Sequence, residues 1–254
     1  MALTFSTELL NKAAEGYGVR ELLRDGRLYL YSGTSPGVDA AATGTLLNTY
    51  TLSGGAFTPP VRAVGTATIS GSGGTVDTIK VGGMAENLLS AAVAWDTDVT
   101  TTAVAVAANI NAKQNALNIT ADNTAGVVNL YAPFWLGALA DGLTVLSTET
   151  TLVVTDANFS TGTTAVNGLN FKFPAVAGVL SKETTIWQGT AAATGTAGYF
   201  RFVAGGSTVS GVGGTDVRFD GSVGTSGADL NLSSTSIASA SEQTISGFDI
   251  NVGQ

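Results

Sequence analysis

The carboxylates are the side chains with the most chemical reach here, because none of the 254 positions holds histidine or cysteine. Without histidine the commonest general base and transition-metal ligand is missing. Without cysteine there is no thiolate nucleophile, thiolate metal site or disulfide. What remains is oxygen chemistry. Asp216, Asp220 and Asp229 stand in a Gly-rich stretch and could offer oxygens to calcium. Their spacing lacks the alternating Asp/Asn positions and closing Glu of a calcium loop, so turn-capping aspartates are the better reading. Glu183 with Glu242, or Asp96 with Asp98, would supply the two carboxyls of a glycosidase, but that chemistry needs a sugar-binding cleft and aromatics are few. The runs Gly71 to Gly74 and Gly205 to Gly214 precede no helix with the Lys-Ser/Thr pair of a phosphate loop, and read as turns. No catalytic residue, metal ligand or cofactor-binding residue is assigned. The expectation is a protein without enzymatic activity or cofactor.

The bulk composition points the same way. Charged residues are 12% of the chain, about half the usual share, and 33 residues are glycine. Small neutral side chains lose little rotamer entropy when fixed and leave few charges to desolvate, which suits a surface covered by copies of itself or by partners. Net charge is −8, and basic residues such as Arg20, Arg62, Lys113 and Arg218 are scattered rather than clustered. Nucleic-acid binding normally concentrates them, so no nucleic-acid partner is expected. Met1-Ala2-Leu3-Thr4-Phe5 has no basic segment leading into an apolar one, and no run is long and apolar enough to span a bilayer. A protein made in the cytoplasm, with no membrane partner, is the expectation.

The elements that would position these residues are mostly strands. Thr7 to Arg24 reads as a helix capped by Ser6 or Thr7, with Leu9, Leu10, Ala13 and Ala14 on one side, a break near Tyr17 and Gly26 as terminator. Strands follow at Leu28 to Tyr31 and Leu46 to Leu52. After Pro60 the pattern changes. Val64 to Ser70 and Val76 to Val81 look like a hairpin across Gly71-Ser72-Gly73-Gly74. A helix capped at Thr100, Thr101 or Thr102 runs to about Ala116, burying Val104, Ala107, Ala108 and Ile110. Strands at 119–121, 127–131, 143–146 and 151–154 complete an α+β pattern. From Val166 the Gly-punctuated strands return, at 169–173, 184–188, 199–203, 229–232 and 243–250. The fold class is therefore mainly β: a β-sandwich assembled from both chain ends, 1–61 and 166–254, with an N-terminal helix, plus a small inserted α+β domain at 62–165.

Several segments carry a resemblance. Leu28-Tyr29-Leu30-Tyr31-Ser32-Gly33-Thr34, Ala41 to Leu47, Gly54-Gly55-Ala56-Phe57-Thr58, Gly195 to Phe202 and Asp220 to Leu232 are similar to a family of tailed-bacteriophage virion proteins. Shorter members run from the Gly-Gly-Ala-Phe-Thr segment almost directly into one like Asn167-Gly168-Leu169-Asn170-Phe171, which marks Arg62 to Ala165 as an insertion. The inserted piece, with its Ala-rich helix between hairpins, resembles small modules of phage tail and surface proteins. The resemblance implies a virion structural protein, foremost a capsid decoration or cement protein on the outer head surface, with a tail component (tube, adaptor or fibre base) or a host-binding adhesin as alternatives. Its implied partners are the major capsid protein or other virion proteins, and further copies of itself in a homo-oligomer.

For such a protein the working residues are contact residues. Trp135, in Ala132-Pro133-Phe134-Trp135-Leu136-Gly137, would anchor a partner if exposed and fill the insert's core if buried, and Phe134 stands beside it. Trp187, in an alternating strand, reads as core. Leu9 and Leu10 of the first helix either cap the sandwich or dock on a neighbouring subunit.

Overall fold

The structure, a computed structural model, describes residues 3–113, 115–209 and 216–252. In chain order its elements are β1 (Thr4–Phe5), α1 (Thr7–Ala14), α2 (Val19–Leu22), β2 (Arg27–Ser32), β3 (Leu46–Leu52), β4 (Val64–Ser70), β5 (Thr75–Val81), β6 (Val93–Ala94), α3 (Val99–Ala112), β7 (Thr120–Thr124) and β8 (Val127–Tyr131). A 3-10 turn at Gly137–Ala140 precedes β9 (Val145–Thr150), β10 (Val153–Ser160), β11 (Val179–Ser181), β12 (Trp187–Thr190), β13 (Gly195–Val203), β14 (Arg218–Gly224), β15 (Leu230–Asn231), β16 (Ser236–Ile237), β17 (Glu242–Ile245) and β18 (Asp249–Asn251). The fold is mainly β, with antiparallel sheets and few helices. It divides into a base unit, Met1–Pro59 with Ala165–Gln254, and an insert, Pro60–Thr164.

The base is organised by one sheet in the order β1-β14-β13-β2-β3-β12-β17, with β15 beside β14 and β16 beside β13. Strands from the two stretches of chain interleave, since β2 lies between β13 and β3. Strand periodicity then sorts the side chains. Phe200, Phe202 and Phe219 point to one face, where they meet Phe171, Trp187 and Phe248 at ring-centroid separations between 5.1 and 6.4 Å. Phe248 enters next to the small β11–β18 sheet, and Leu28 and Leu30 complete the buried set. Aromatic pairs at such separations add about 0.5–1.5 kcal/mol each beyond the area they bury.

The N-terminal helical segment is two helices. Ser6 caps α1, its Oγ accepting from the Leu9 amide at 3.3 Å, and Gly16 at φ +97° ends the run before α2 begins. The chain turns at Asp25, with φ +56°, rather than at Gly26. Gly26 serves a different end: a Cβ there would lie 2.3 Å from the Phe202 ring. In the C-terminal part the expected strand 243–250 is split into β17 and β18, and 169–173 contributes isolated bridges rather than a strand.

The insert is built on one bent ribbon. β4 does not pair with β5, contrary to the hairpin expected across Gly71–Gly74. Instead residues 64–81 run antiparallel to 145–160, β4 against β10 and β5 against β9. The ribbon folds over where Gly71 to Gly74 face Thr151 and Leu152, and Gly74 is required there because a Cβ would sit 2.0 Å from the Thr150 carbonyl oxygen. One half joins the sheet β10-β4-β8-β7, the other the sheet β6-β5-β9. α3 packs against β7 and β8. Its cap is Asp98 rather than Thr100–Thr102, in a reciprocal box with Thr101. Its buried residues are Thr102, Ala103, Val106, Ala107 and Ile110, so Val104 and Ala108 face solvent, against expectation. The core is aliphatic, with Ile69, Val76, Ile79, Leu88, Val128 and Leu130 among its members.

Candidate interaction surfaces

The second face of the base sheet holds its strongest polar cluster. Tyr199, Arg201 and Val203 of β13 point away from the aromatic core, beside Tyr29 and Tyr31 of β2 and Asp220 of β14. Arg201 and Asp220 form a two-pronged ion pair, Nε to Oδ1 at 2.7 Å and Nη2 to Oδ2 at 2.9 Å, with Arg201 fully buried. The remaining Arg201 donors reach the carbonyls of Gly37, Ala40 and Val209, and Ser35 Oγ donates to Asp220 Oδ2 at 2.5 Å. Burial pulls the guanidinium down, but the Asp220 carboxylate more than offsets this and holds Arg201 above its ordinary value. The pair pins the loop between β2 and β3 over this face, helped by the Tyr199 hydroxyl, which donates to the Thr43 carbonyl at 2.7 Å. A half-open cavity of about 240 Å³ beside it is lined by Thr4, Ser35, Val38, Asp220 and Ser222. With both Asp220 oxygens engaged, the carboxylate there is a structural strut rather than a free acid.

Three of the other suspected carboxylates are similarly committed, while Glu183 lies at the root of a hairpin after Ser181 and Glu242 is exposed at the start of β17. Asp216 accepts from the Thr208 amide and hydroxyl, and Asp229 from those of Ser222. Asp98 caps α3. Among the described residues no group of three or more His, Cys, Asp or Glu could hold a metal. No described helix is long and apolar enough to cross a membrane. Gly71, Gly73 and Gly74 turn the ribbon, while positions 210–214 of the second Gly-rich run lie outside the described residues.

A second surface was not legible as one. From Phe171 the chain forms a hairpin with Val179–Ser181: Lys172 N donates to the Ser181 carbonyl at 2.8 Å, and Val176 and Val179 exchange backbone bonds. Ala177 at φ +52° and Gly178 at φ +77° make the tip, both in the left-handed region that a type I′ turn requires. All seven residues from Lys172 to Gly178 are exposed, Phe173 by 78% and Val176 by 71%. The Arg20 guanidinium stands 4.9 Å from the Phe173 ring centre. At the hairpin's root Lys182 is buried, donating to the carbonyls of Glu183 and Thr185 at 2.8 and 3.1 Å, and burial, with Lys172 nearby, pulls its pKa down. Proline inside an apolar run, followed by Ala-Gly, was the available signal for an exposed tip instead of a core strand.

The predicted contact residues fall in different places. Leu9 is 1% exposed and belongs to the base core, so it is closed to any partner, while Leu10 beside it is 54% exposed. Phe134 is exposed and lies 5.3 Å from the Arg62 guanidinium, which also stands 5.0 Å from the Tyr131 ring. Trp135 is half-buried, between the two alternatives its sequence left open. Trp187 is fully buried in the base. Arg62, read in the sequence only as one of the scattered basic residues, ties the strand ends together by donating to the carbonyls of Ala132 and Tyr131 and to Thr120 Oγ1.

No protein-family model, curated protein or solved structure matches this chain.

Proposed function

We propose that this chain is a non-enzymatic structural protein of a tailed-phage virion, a decoration or cement protein that docks on the outer head shell through the hairpin Lys172–Gly178. The observation that carries this reading is the hairpin. Isolated exposed apolar residues are ordinary, but a seven-residue exposed finger carrying Phe173, Pro174 and Val176 along one arm needs a cover. An aromatic anchor on the arm of a tight hairpin enters a crevice between coat subunits at low entropic cost. Lys172, beside Phe173, favours a crevice with an acidic rim. Binding only to assembled shell stabilises that shell by mass action, with no chemistry required. The sequence resemblance and the commitment of Asp98, Asp216, Asp220 and Asp229 to internal bonds support the same reading. Further copies of the chain and the major coat protein are its partners.

The test is copy number per purified particle by quantitative mass spectrometry, followed by rebinding of a Phe173→Ser/Val176→Ser variant to shells stripped of the protein. The expected outcome is hundreds of copies, in simple ratio to the coat, and at least tenfold weaker rebinding of the variant. A few dozen copies or fewer would move the protein to the tail, as tube, adaptor or fibre base. An adhesin role is favoured by a different feature, the polar face of the insert.

A further inference from the structure

The four-stranded sheet of the insert buries one face under α3 and leaves the other open. On β8, Val128 and Leu130 are buried, while Val127, Asn129 and Tyr131 alternate onto the open side. Thr66 and Thr68 of β4 stand opposite Asn129 and Val127, and Asp122 and Thr124 of β7 flank the same two residues from the other edge. The array is dominated by neutral hydroxyl and amide groups. We infer that this face, from Phe134 across Tyr131 and Asp122 to Thr68, is a binding site for a neutral glycan.

Three features carry the assignment. The polar groups are held in place before any ligand arrives: Asp122 accepts from Tyr131 Oη at 2.9 Å through one oxygen and from Asn129 Nδ2 at 2.7 Å through the other. That fixes the phenol and the amide while leaving the Asn129 carbonyl oxygen and the phenol lone pairs outside those bonds. Sugar hydroxyls both donate and accept, so they match such a mixed array where a purely accepting or donating one would fail. At the end of the array the rings of Tyr131 and Phe134 stand beside the Arg62 guanidinium, and the exposed Phe134 ring offers a surface for the apolar C–H face of a sugar.

Charge then selects among polymers. Asp122 and Arg62 are the ionised groups at this face and both are already engaged within the fold. The insert as a whole carries eight acidic residues against three basic ones, which repels polyanions. A protein partner would find Val64, Val127, Val153 and Phe134 interspersed with threonines rather than one continuous apolar patch. The neutral glycan is the occupant these properties fit, and the inference is independent of where the base unit docks.

The experiment offers the full chain to immobilised neutral hexose and N-acetylhexosamine oligosaccharides, with polysialic acid and sulfated oligosaccharides as anionic controls. At least one neutral glycan should be retained, and Phe134→Ala and Asp122→Ala should each weaken binding tenfold or more with melting temperature unchanged. Thr68→Lys, at an exposed position with no burden on the fold, should block it as well. Retention of no neutral glycan, retention of anionic glycans alone, or neutral binding untouched by Thr68→Lys would overturn the inference. Shell rebinding by the same variants should stay at the wild-type level, which separates this outcome from that of the docking hairpin.

Discussion

The two units bury their interiors with different materials. The base packs six aromatic rings against one face of its sheet and hides an arginine–aspartate pair beneath the other. The insert encloses valines, isoleucines, leucines and alanines, with Phe159 the one phenylalanine of its buried set. An ion pair out of water specifies geometry more than it adds stability, because desolvation consumes much of its attraction. The base interior is therefore constrained by an ion pair at particular atoms, and the insert interior chiefly by volume, with Thr102 and Asn115 among its buried polar side chains. Volume-conserving changes are tolerated far better than the loss of one partner of a buried charge.

The largest expected effect follows from that contrast. Asp220→Ala strands Arg201 without its countercharge and should destabilise the base by about 3–5 kcal/mol. Hydrogen exchange resolved by peptide should show protection lost in β13, β14 and the loop 33–45, with α3 and β8 unchanged. Equal loss in the insert would dissolve the distinction between the units.

Alkaline pH should separate them next. Tyr29, Tyr31, Tyr50 and Tyr199 of the base are all raised by burial, Tyr31 to about 12. An acid whose pKa is raised on folding stabilises the native state below its unfolded value, and that stability is lost as pH climbs toward the folded value. Between about pH 10 and 12 the unfolded chain ionises while Tyr31 does not, which costs roughly 2 kcal/mol by pH 12 for that residue. Urea midpoints followed by Trp187 fluorescence in a Trp95→Phe/Trp135→Phe background should fall through this window, ahead of any loss of exchange protection in the insert. A flat profile would mean these hydroxyls are open to water.

The smallest effect is the most discriminating for function. Phe173→Ser should change folding stability by no more than about 0.5 kcal/mol, because the ring contributes little to the core at 78% exposure. Thermal melts check it. A loss of several kcal/mol would make the hairpin part of the base's packing rather than a contact element.

Strand placement was largely legible, because period-2 alternation is a local signal: β2, β4, β5, β8 and β13 fall where the apolar residues of 28–31, 64–70, 76–81, 127–131 and 199–203 put them. Pairing was not. The glycines at 71–74 announce a turn truthfully, yet partner choice depends on residues 145–160, about 80 positions away, and no local pattern encodes that. The cap of α3 was readable in principle, as Asp98-x-x-Thr101, but three threonines in a row masked it. Its buried face was ambiguous because alanine and valine occupy positions all round the helix. Adjacent Leu9 and Leu10 point about 100° apart on a helix, so only one could join the core. Phe173 was assigned to the end of a strand, 169–173, because composition cannot tell an apolar segment that is covered from one that projects.

The interleaving of β2 between β3 and β13 has a consequence for the order in which the molecule can be made. A ribosome releases β2 and β3 early, and they can pair at once, but the other side of β2 stays open until Gly195–Val203 has been synthesised. All the strands of the insert emerge in that interval, and their partners lie among themselves. The insert can thus reach its native pairing on the nascent chain while the base waits as an incomplete sheet, and its unfilled edge is the point at which a chaperone, or a neighbouring nascent chain, would first meet this protein.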